Sequence, residues 1–517
     1  GRGMSGRTVI LGGEYRASTL MDRGRVRPEF VGIAVLGAAV VFAGLVAAKT
    51  EYFAGLAVWA GGAIAGMWLF MPRRSLSGSS RVGRVACSVR WRMRVRRGLH
   101  VFVPGEPARK KGAATGKATT QPRMVPDWVG DARRVSVRIH PDSDESVLVL
   151  LHKGTAGSLG YACVVMDVET GAGTSDEDYA RFGRFKAVLA QEDSLVGGIQ
   201  QLERVTRASV HRHRRWWEAN RVENCPEILR QSYEDVLTSL EELGEDHRSL
   251  LVLRMPFTND FVQQVRATYG DITYATRAQT AVLEAQRAAS SGMMYARYRS
   301  MRPLSERQLA GYIAASFDPS LEDDDESFTL ETCWAAYSAS HREVSMVGAS
   351  GRTWLTRTAR IERVHLPGTP IPVGAFRDLC VGVYPAVTRT VSIIEELTPA
   401  WVAKQEALEA QTVDRARLKQ SAGKVTDGSE MDQATASQQR LSDLRTGQGH
   451  QGVGFAVHVT IQAPTQEELT KATQRMEAAA NQFTRLTWLD HEQDLALVHA
   501  TPLGMGLDMR PRKGALR

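Results

Sequence analysis

No segment of this 517-residue chain satisfies the phosphate-loop pattern GxxxxGK[ST], and no GxSxG nucleophile elbow occurs in it. The first absence removes the glycine-rich turn whose amides would cradle a phosphate, and the second removes the strained serine of a hydrolase. Cysteine is scarce too: Cys87, Cys163, Cys225, Cys333 and Cys380 form no CxxC pair and share no repeated spacing. Scattered singles of this kind read as reduced structural thiols of a cytosolic body, not as a zinc site. Lys111-Gly112-Ala113-Ala114-Thr115-Gly116-Lys117-Ala118 comes nearest to a phosphate loop. It has Lys where the first Gly belongs and Ala where Ser or Thr belongs, and no strand precedes it. The acidic run Glu322-Asp323-Asp324-Asp325-Glu326 lacks the Gly and the spacing of a calcium loop and reads as a solvated turn. No catalytic set, cofactor site or metal site is expected, and the chain does not read as an enzyme.

Charge is missing altogether from two apolar runs, Val31 to Ala48 and Phe53 to Met71, separated only by Lys49-Thr50-Glu51-Tyr52. Each is close to the roughly 20 residues that a helix needs to cross a bilayer, so residues 31–71 are expected to form a two-helix transmembrane hairpin. Residues 1–30 carry six arginines and the stretch after the second run carries Arg73, Arg74, Arg81, Arg84, Arg90 and Arg92 among others, whereas the intervening loop has one Lys and one Glu. The positive-inside bias therefore puts both ends on the cytoplasmic side of the cell membrane. Residues 1–128 hold 21 Lys and Arg against 6 Asp and Glu, leaving 44 against 51 in the rest of a chain whose totals are 65 and 57. The basic excess thus belongs to the membrane flank, where Arg73, Arg74, Arg81, Arg84, Arg90 and Arg92 are candidates to face anionic lipid. The acidic body gives no support to direct nucleic-acid binding.

Residues 72–126 read as a basic flank and a flexible tether, with Pro104-Gly105-Glu106-Pro107 and Arg109-Lys110-Lys111 inside it. Two α/β domains are expected beyond it, 127–320 and 321–507, followed by a tail at 508–517. In the first, strands are expected at 134–140, 146–152, 161–168, 198–208 and 249–255, with helices at 177–192, from 216 onward, at 227–243, 259–290 and 305–316. In the second, strands are expected at 327–339, 353–365, 388–397, 454–463 and 485–489, with a helix at 465–483 whose Thr465 and Glu468 stand in capping-box positions. Residues 411–452 are polar with almost no large apolar side chains, and read as an inserted helical arm. Strand, helix, strand, then helix, strand around that arm is the outline of a ferredoxin-like βαβ repeat within an α+β body.

The hairpin, the strand-rich body, the polar arm and the closing Leu495-Ala496-Leu497-Val498-His499-Ala500-Thr501-Pro502-Leu503-Gly504 resemble the non-motor half of the conjugation ATPases of type IV secretion, the CagE/TrbE/VirB family. The form that joins a membrane hairpin to this half, found in actinobacterial conjugative elements, is the nearer likeness. In that family a Leu-Pro-Leu-Gly-like segment closes the N-terminal domain and a motor with a phosphate loop follows. Here Thr501-Pro502-Leu503-Gly504 takes that place and 13 residues remain. The resemblance implies a non-catalytic, membrane-anchored scaffold on which a separately encoded ATPase docks, with Thr501, Pro502, Leu503 and Gly504 as candidate docking residues and a hexameric homo-oligomer as the assembly.

Two other readings compete with it. An accessory two-span subunit of a type VII secretion system would share the hairpin but not the arm or the closing segment. His211-Arg212-His213-Arg214-Arg215-Trp216-Trp217 could in principle ligate metal or stack on bases. It reads better as the start of a helix whose basic side chains face solvent or an acidic partner while the tryptophans pack inward.

Overall fold

In the computed structural model of the protein, the described residues are 81–107, 122–361 and 376–399 with short breaks in loops, 402–405 and 452–506, together with a few isolated positions and two-residue strands elsewhere. The apolar runs at 31–71, the stretch 108–121, most of the arm 411–452, the acidic run at 322–325 and the tail lie outside the described residues. Among the described residues no helix is long and apolar enough to cross a membrane.

Thirteen strands form one antiparallel sheet in a mixed α+β body. In chain order they are β1 (Val101–Phe102), β2 (Arg133–Arg138), β3 (Ser146–His152), β4 (Tyr161–Glu169), β5 (Gly198–Arg207), β6 (Glu245–Pro256), β7 (Ser300–Pro303), β8 (Ala336–Ala339), β9 (Val344–Val347), β10 (Thr353–Ile361), β11 (Thr388–Thr398), β12 (Gly452–Ala463) and β13 (Leu486–Trp488). Across the sheet they lie in the order β1-β8-β9-β10-β12-β11-β5-β6-β4-β3-β2, with β7 on β4 and β13 on β10. The helices are α1 (Arg81–Arg97), α2 (Asp176–Leu189), α3 (His211–Asn220), α4 (Glu227–Leu243), α5 (Asn259–Tyr269), α6 (Tyr274–Ser291), α7 (Glu306–Phe317), α8 (Arg377–Cys380), α9 (Gln466–Ala480) and α10 (Gln493–Ala496).

The strand order contains the same unit twice. A meander β2-β3-β4 leads through α2 to β5, and β6 leads through α5 and α6 to β7; a meander β8-β9-β10 leads through α8 to β11, and β12 leads through α9 to β13. Counting from the last strand of each meander, both units place their four strands in the order 4-1-3-2. Even the shared edges correspond. The first half of β4, Tyr161 to Val164, pairs with β3 and the second half, Met166 to Glu169, with β7. Likewise Thr353 to Thr356 of β10 pairs with β9 and Ala359 to Ile361 with β13. The units meet through their second strands, β5 against β11, in a register that sets Leu202 opposite Ser392.

Alternation decides the two faces. On β5 and β11 the odd-numbered positions, such as Ile199 and Val391, point to one side, where α2, α5 and α6 cover the first unit and α8 and α9 the second. Even-numbered Leu202 points to the other, where α7 and residues 497–503 pack with Trp334 and Tyr337. Both helix layers therefore share a face, and the axis relating the units is normal to the sheet. Because β3, β4 and β6 are covered on both sides, they are near-continuous apolar runs such as Val147-Leu148-Val149-Leu150-Leu151.

Most expected elements appear within a few residues of their places, and the exceptions have local causes. The helix expected at 259–290 is two, because Gly270 at φ +84° ends α5 and Thr273 opens α6 with a reciprocal capping box to Thr276. Only Ala336–Ala339 of the strand expected at 327–339 pairs; the Thr329 Oγ1 and carbonyl fold the preceding residues into a turn. Residues 101–107 and 122–126, expected as tether, belong to the body: β1 pairs with β8, Phe102 is fully buried, and Glu106 bridges Arg123. At α9 the Thr465 hydroxyl accepts the Glu468 amide at 3.3 Å, as the N-cap spacing requires.

On the helix-bearing face the junction of β5, β6 and β11 carries a charge cluster. Buried Arg389 donates to both carboxylate oxygens of Glu245 at 2.8 and 3.2 Å and to the carbonyls of Leu379 and Val387. His247 lies 3.4 Å from both Glu203 and Glu245. Burial alone would raise Glu245, but hydrogen bonds from His247 and Arg389 outweigh it and hold the carboxyl at about 2. The carboxylates Glu203 and Glu245 raise His247 to about 9. A histidine raised above its unfolded value contributes stability that is complete below about pH 6.5 and is lost as the pH climbs through 9. The unfolding free energy should therefore fall between pH 6.5 and 9.5, by on the order of 1 kcal/mol after allowance for the partial exposure of the ring, lowering the thermal midpoint over that range, and His247→Gln should remove that slope.

Candidate functional site

The closing segment, where docking is expected, lies across the joint between the two units. Thr501, Pro502, Leu503 and Gly504 are all buried. Gln200 of β5 is the residue that receives them: its Nε2 donates to the Thr501 carbonyl at 3.2 Å and to Ser392 Oγ of β11 at 3.1 Å, while its Oε1 accepts the Gly504 amide at 2.8 Å. The Tyr161 hydroxyl donates to the Gly504 carbonyl at 3.2 Å, and the Thr501 hydroxyl donates to Val498 at 2.8 Å. Gly504 adopts φ +66°, and a Cβ there would stand 2.4 Å from Cys163 Sγ. Only glycine fits both constraints.

Around this segment the electrostatics favour neutral forms. His152 stacks on Tyr161 at 4.7 Å, and Arg254 lies over the same tyrosine at 4.9 Å. Burial first, then the Arg254 charge, lowers His152 to about 4 against a raising hydrogen bond with the Leu503 backbone, so the imidazole is neutral at physiological pH. Burial pushes the Cys163 thiol up to about 12, which makes it an inert packing group. Thr501, Pro502, Leu503 and Gly504 are thus occupied by the protein's own fold. A second polypeptide at this end would meet the surface beside them, where Leu495 is exposed.

The basic flank divides into two faces. In α1 one face turns inward: Arg94 makes a bidentate pair with buried Asp494 of α10, Nη2 to Oδ1 at 2.7 Å and Nε to Oδ2 at 3.2 Å, and donates to the His491 carbonyl. Cys87 approaches Glu492, which also pairs with Arg90 at 3.4 Å. The opposite face presents Val89, Arg92, Met93 and Arg96, all exposed. Two apolar side chains framed by arginines suit the boundary between headgroups and acyl chains. Of the candidate lipid-facing residues, Arg92 lies on this exposed face, Arg90 is turned to Glu492 on the body side, Arg81 and Arg84 are in the first turn of α1, and Arg73 and Arg74 fall outside the described residues. Arg94, which the sequence presents as one more arginine of the flank, is instead the clasp that fastens the flank to the body.

His211 to Trp217 opens α3, and only Trp217 packs inward, 4.4 Å from the Tyr233 ring; Trp216 is 59 % exposed. Adjacent residues on a helix are 100° apart, so both tryptophans cannot face one way. Among the described residues no group of three or more His, Cys, Asp and Glu could hold a metal ion. Compared with models of known protein families and with curated proteins, the chain matches none.

Gly504→Ala should cost about 2–4 kcal/mol, combining a strained positive φ with a clash in a packed joint. Gly351→Ala has a similar φ but open space around it. It should cost about 1 kcal/mol. Equal losses in denaturant unfolding would show that the joint relaxes freely around residue 504.

Proposed function

We propose that this protein is a non-catalytic, membrane-anchored component of a conjugative or type IV secretion apparatus, a platform on which a separately encoded ATPase docks. The two 4-1-3-2 units are read as ferredoxin-like modules, an outline expected from the sequence for the second of them. The observation that carries the proposal is the course of residues 497–504. In the family that the chain resembles, a Leu-Pro-Leu-Gly-like segment closes the N-terminal domain; here Thr501-Pro502-Leu503-Gly504 runs into the joint of the plate and is held there by Gln200, as a closing segment would be.

The attachment of α1 fits the same role. A platform that resists the shape changes of a motor needs a stiff path from membrane to body, and a buried bidentate Arg–Asp pair is directional in a way that a flexible linker is not. Arg94 and Asp494 make that link, and the exposed arginines of α1 lie on its far side. Force on the body would reach α1 without passing through residues 108–121. The proposal places the protein in the cell membrane, as a homo-oligomer, with no direct role in binding nucleic acid.

Crosslinking in intact membranes followed by purification of this protein tests the proposal. An ATPase carrying a phosphate loop should be recovered at near-stoichiometric yield, and Leu495→Glu, beside the closing segment, should lower that yield without lowering the thermal midpoint. Recovery of type VII secretion core subunits in its place would support the competing assignment, and recovery of no ATPase under conditions that preserve the complex would contradict the proposal.

A further inference from the structure

The connection between β5 and β6 carries a helical hairpin with almost no core of its own. Among the described side chains of α4 only Leu237 is fully buried, and the hairpin is closed by the Trp217–Tyr233 ring contact and the Arg214–Glu234 pair at 3.7 Å. Leu229, Val236 and Leu240 are 57, 52 and 48 % exposed. At 100° per residue these three fall within about 40° of one another, a continuous stripe along the helix. A groove runs beside it, lined by Ser232, Asp235, Val236, Ser239, Leu240 and Gly244. Exposed apolar side chains gathered on one projecting element, rather than scattered singly, mark a surface that is covered in use.

The two helices of the hairpin differ in charge. Arg214 and Arg215 in α3 and Arg221 after it make one side basic, while Glu227, Glu234 and Asp235 make α4 acidic. Such a surface complements itself under a two-fold rotation, since the basic helix of one hairpin then lies along the acidic helix of the other. Two helical hairpins packed in this way make a four-helix bundle with the stripe inside. The fold leaves room for it. Ala208 donates to the Gly244 carbonyl at 3.0 Å, so the β5–β6 ladder closes beneath the hairpin and the arm stands on the sheet as an addition. The second unit carries its own insertion, residues 399–451, at the same connection between its second and third strands.

We infer that α3 and α4 form a homodimerisation arm, which pairs with the same arm of a second copy of this chain through Leu229, Val236 and Leu240. The inference concerns contacts between copies and does not rest on the ATPase. The full chain in detergent micelles, with its protein mass measured by light scattering over a concentration series, tests it. The wild type should be dimeric or an even multiple. Val236→Glu should raise the dissociation constant at least about 100-fold, since it would bury an unpaired charge, with the thermal midpoint unchanged because residue 236 faces solvent in the monomer. Arg214→Glu with Arg215→Glu in one variant, and Glu234→Arg with Asp235→Arg in a second, should each weaken self-association, while an equimolar mixture of the two variants should pair, which the broken Arg214–Glu234 contact inside each hairpin cannot bring about. A wild type that stays monomeric, an unchanged constant for Val236→Glu, or association lost only on altering Val89 and Met93 of α1 would each overturn the inference.

Discussion

A single buried amide holds the joint on which the rest of the body depends. Gln200 is completely buried and touches three segments at once: it extends from β5, donates to Ser392 of β11, and holds both ends of Thr501 to Gly504 through its carbonyl and amino groups. An amide in that position is either satisfied at every contact or costs about 1–3 kcal/mol for each group left bare. The constraint is reciprocal. The Thr501 carbonyl and Gly504 amide meet Gln200 only where β5 holds it, and Gln200 is satisfied only if the closing segment has arrived and β11 presents Ser392 beside it. On the opposite face Arg389 of β11 reaches past β5 to Glu245 of β6, so the junction between the units is fastened on both sides of the sheet.

That junction turns two like units into one plate, and it explains how labour is divided along the chain. Everything the two units share, the meander, the 4-1-3-2 order and the helices on one face, is core. What differs is placed at connections and edges: the α3–α4 hairpin between β5 and β6, residues 399–451 between β11 and β12, and α1 with β1 at one edge. Additions at connections leave the ladders intact, so they can carry contacts to lipid or to other chains without a cost to the core. The extra hydrogen bonds follow the same logic. The Gln493 side chain accepts from the Thr358 amide at 2.7 Å and donates to its carbonyl at 3.0 Å, filling the gap in the edge of β10 between β9 and β13.

Local signals were legible in the sequence, and long-range ones were not. Runs such as Ser146 to His152 and Gly454 to Ala463 show their strand character residue by residue, and the caps at Thr465 and the break before Pro226 lie close to their causes. The break at Gly270 is also local, yet apolar periodicity on both sides of it imitates one long helix. Pairing order is another matter. Nothing in the spacing of apolar residues says that β5 meets β11, or that the two units repeat, because the repeat lies in strand order rather than in residue identity. Gln200 looks like an ordinary polar alternation and Arg94 like one arginine among many in a basic flank. Their meaning comes from partners some 300 and 400 residues away. The closing segment shows the converse. Its short motif was conspicuous, while its burial, which turns it from a surface feature into a fastening of the joint, depends on Cys163, Tyr161 and Gln200.

Native-state hydrogen exchange at single-residue resolution tests the central claim most directly, namely that the two units and the closing segment form one cooperative plate. The amides of Gly504, of β5 and of β11 should then exchange with the same opening free energy, that of global unfolding. Rapid exchange at Gly504 while β5 and β11 stay protected, or separate opening of the two units, would contradict the account.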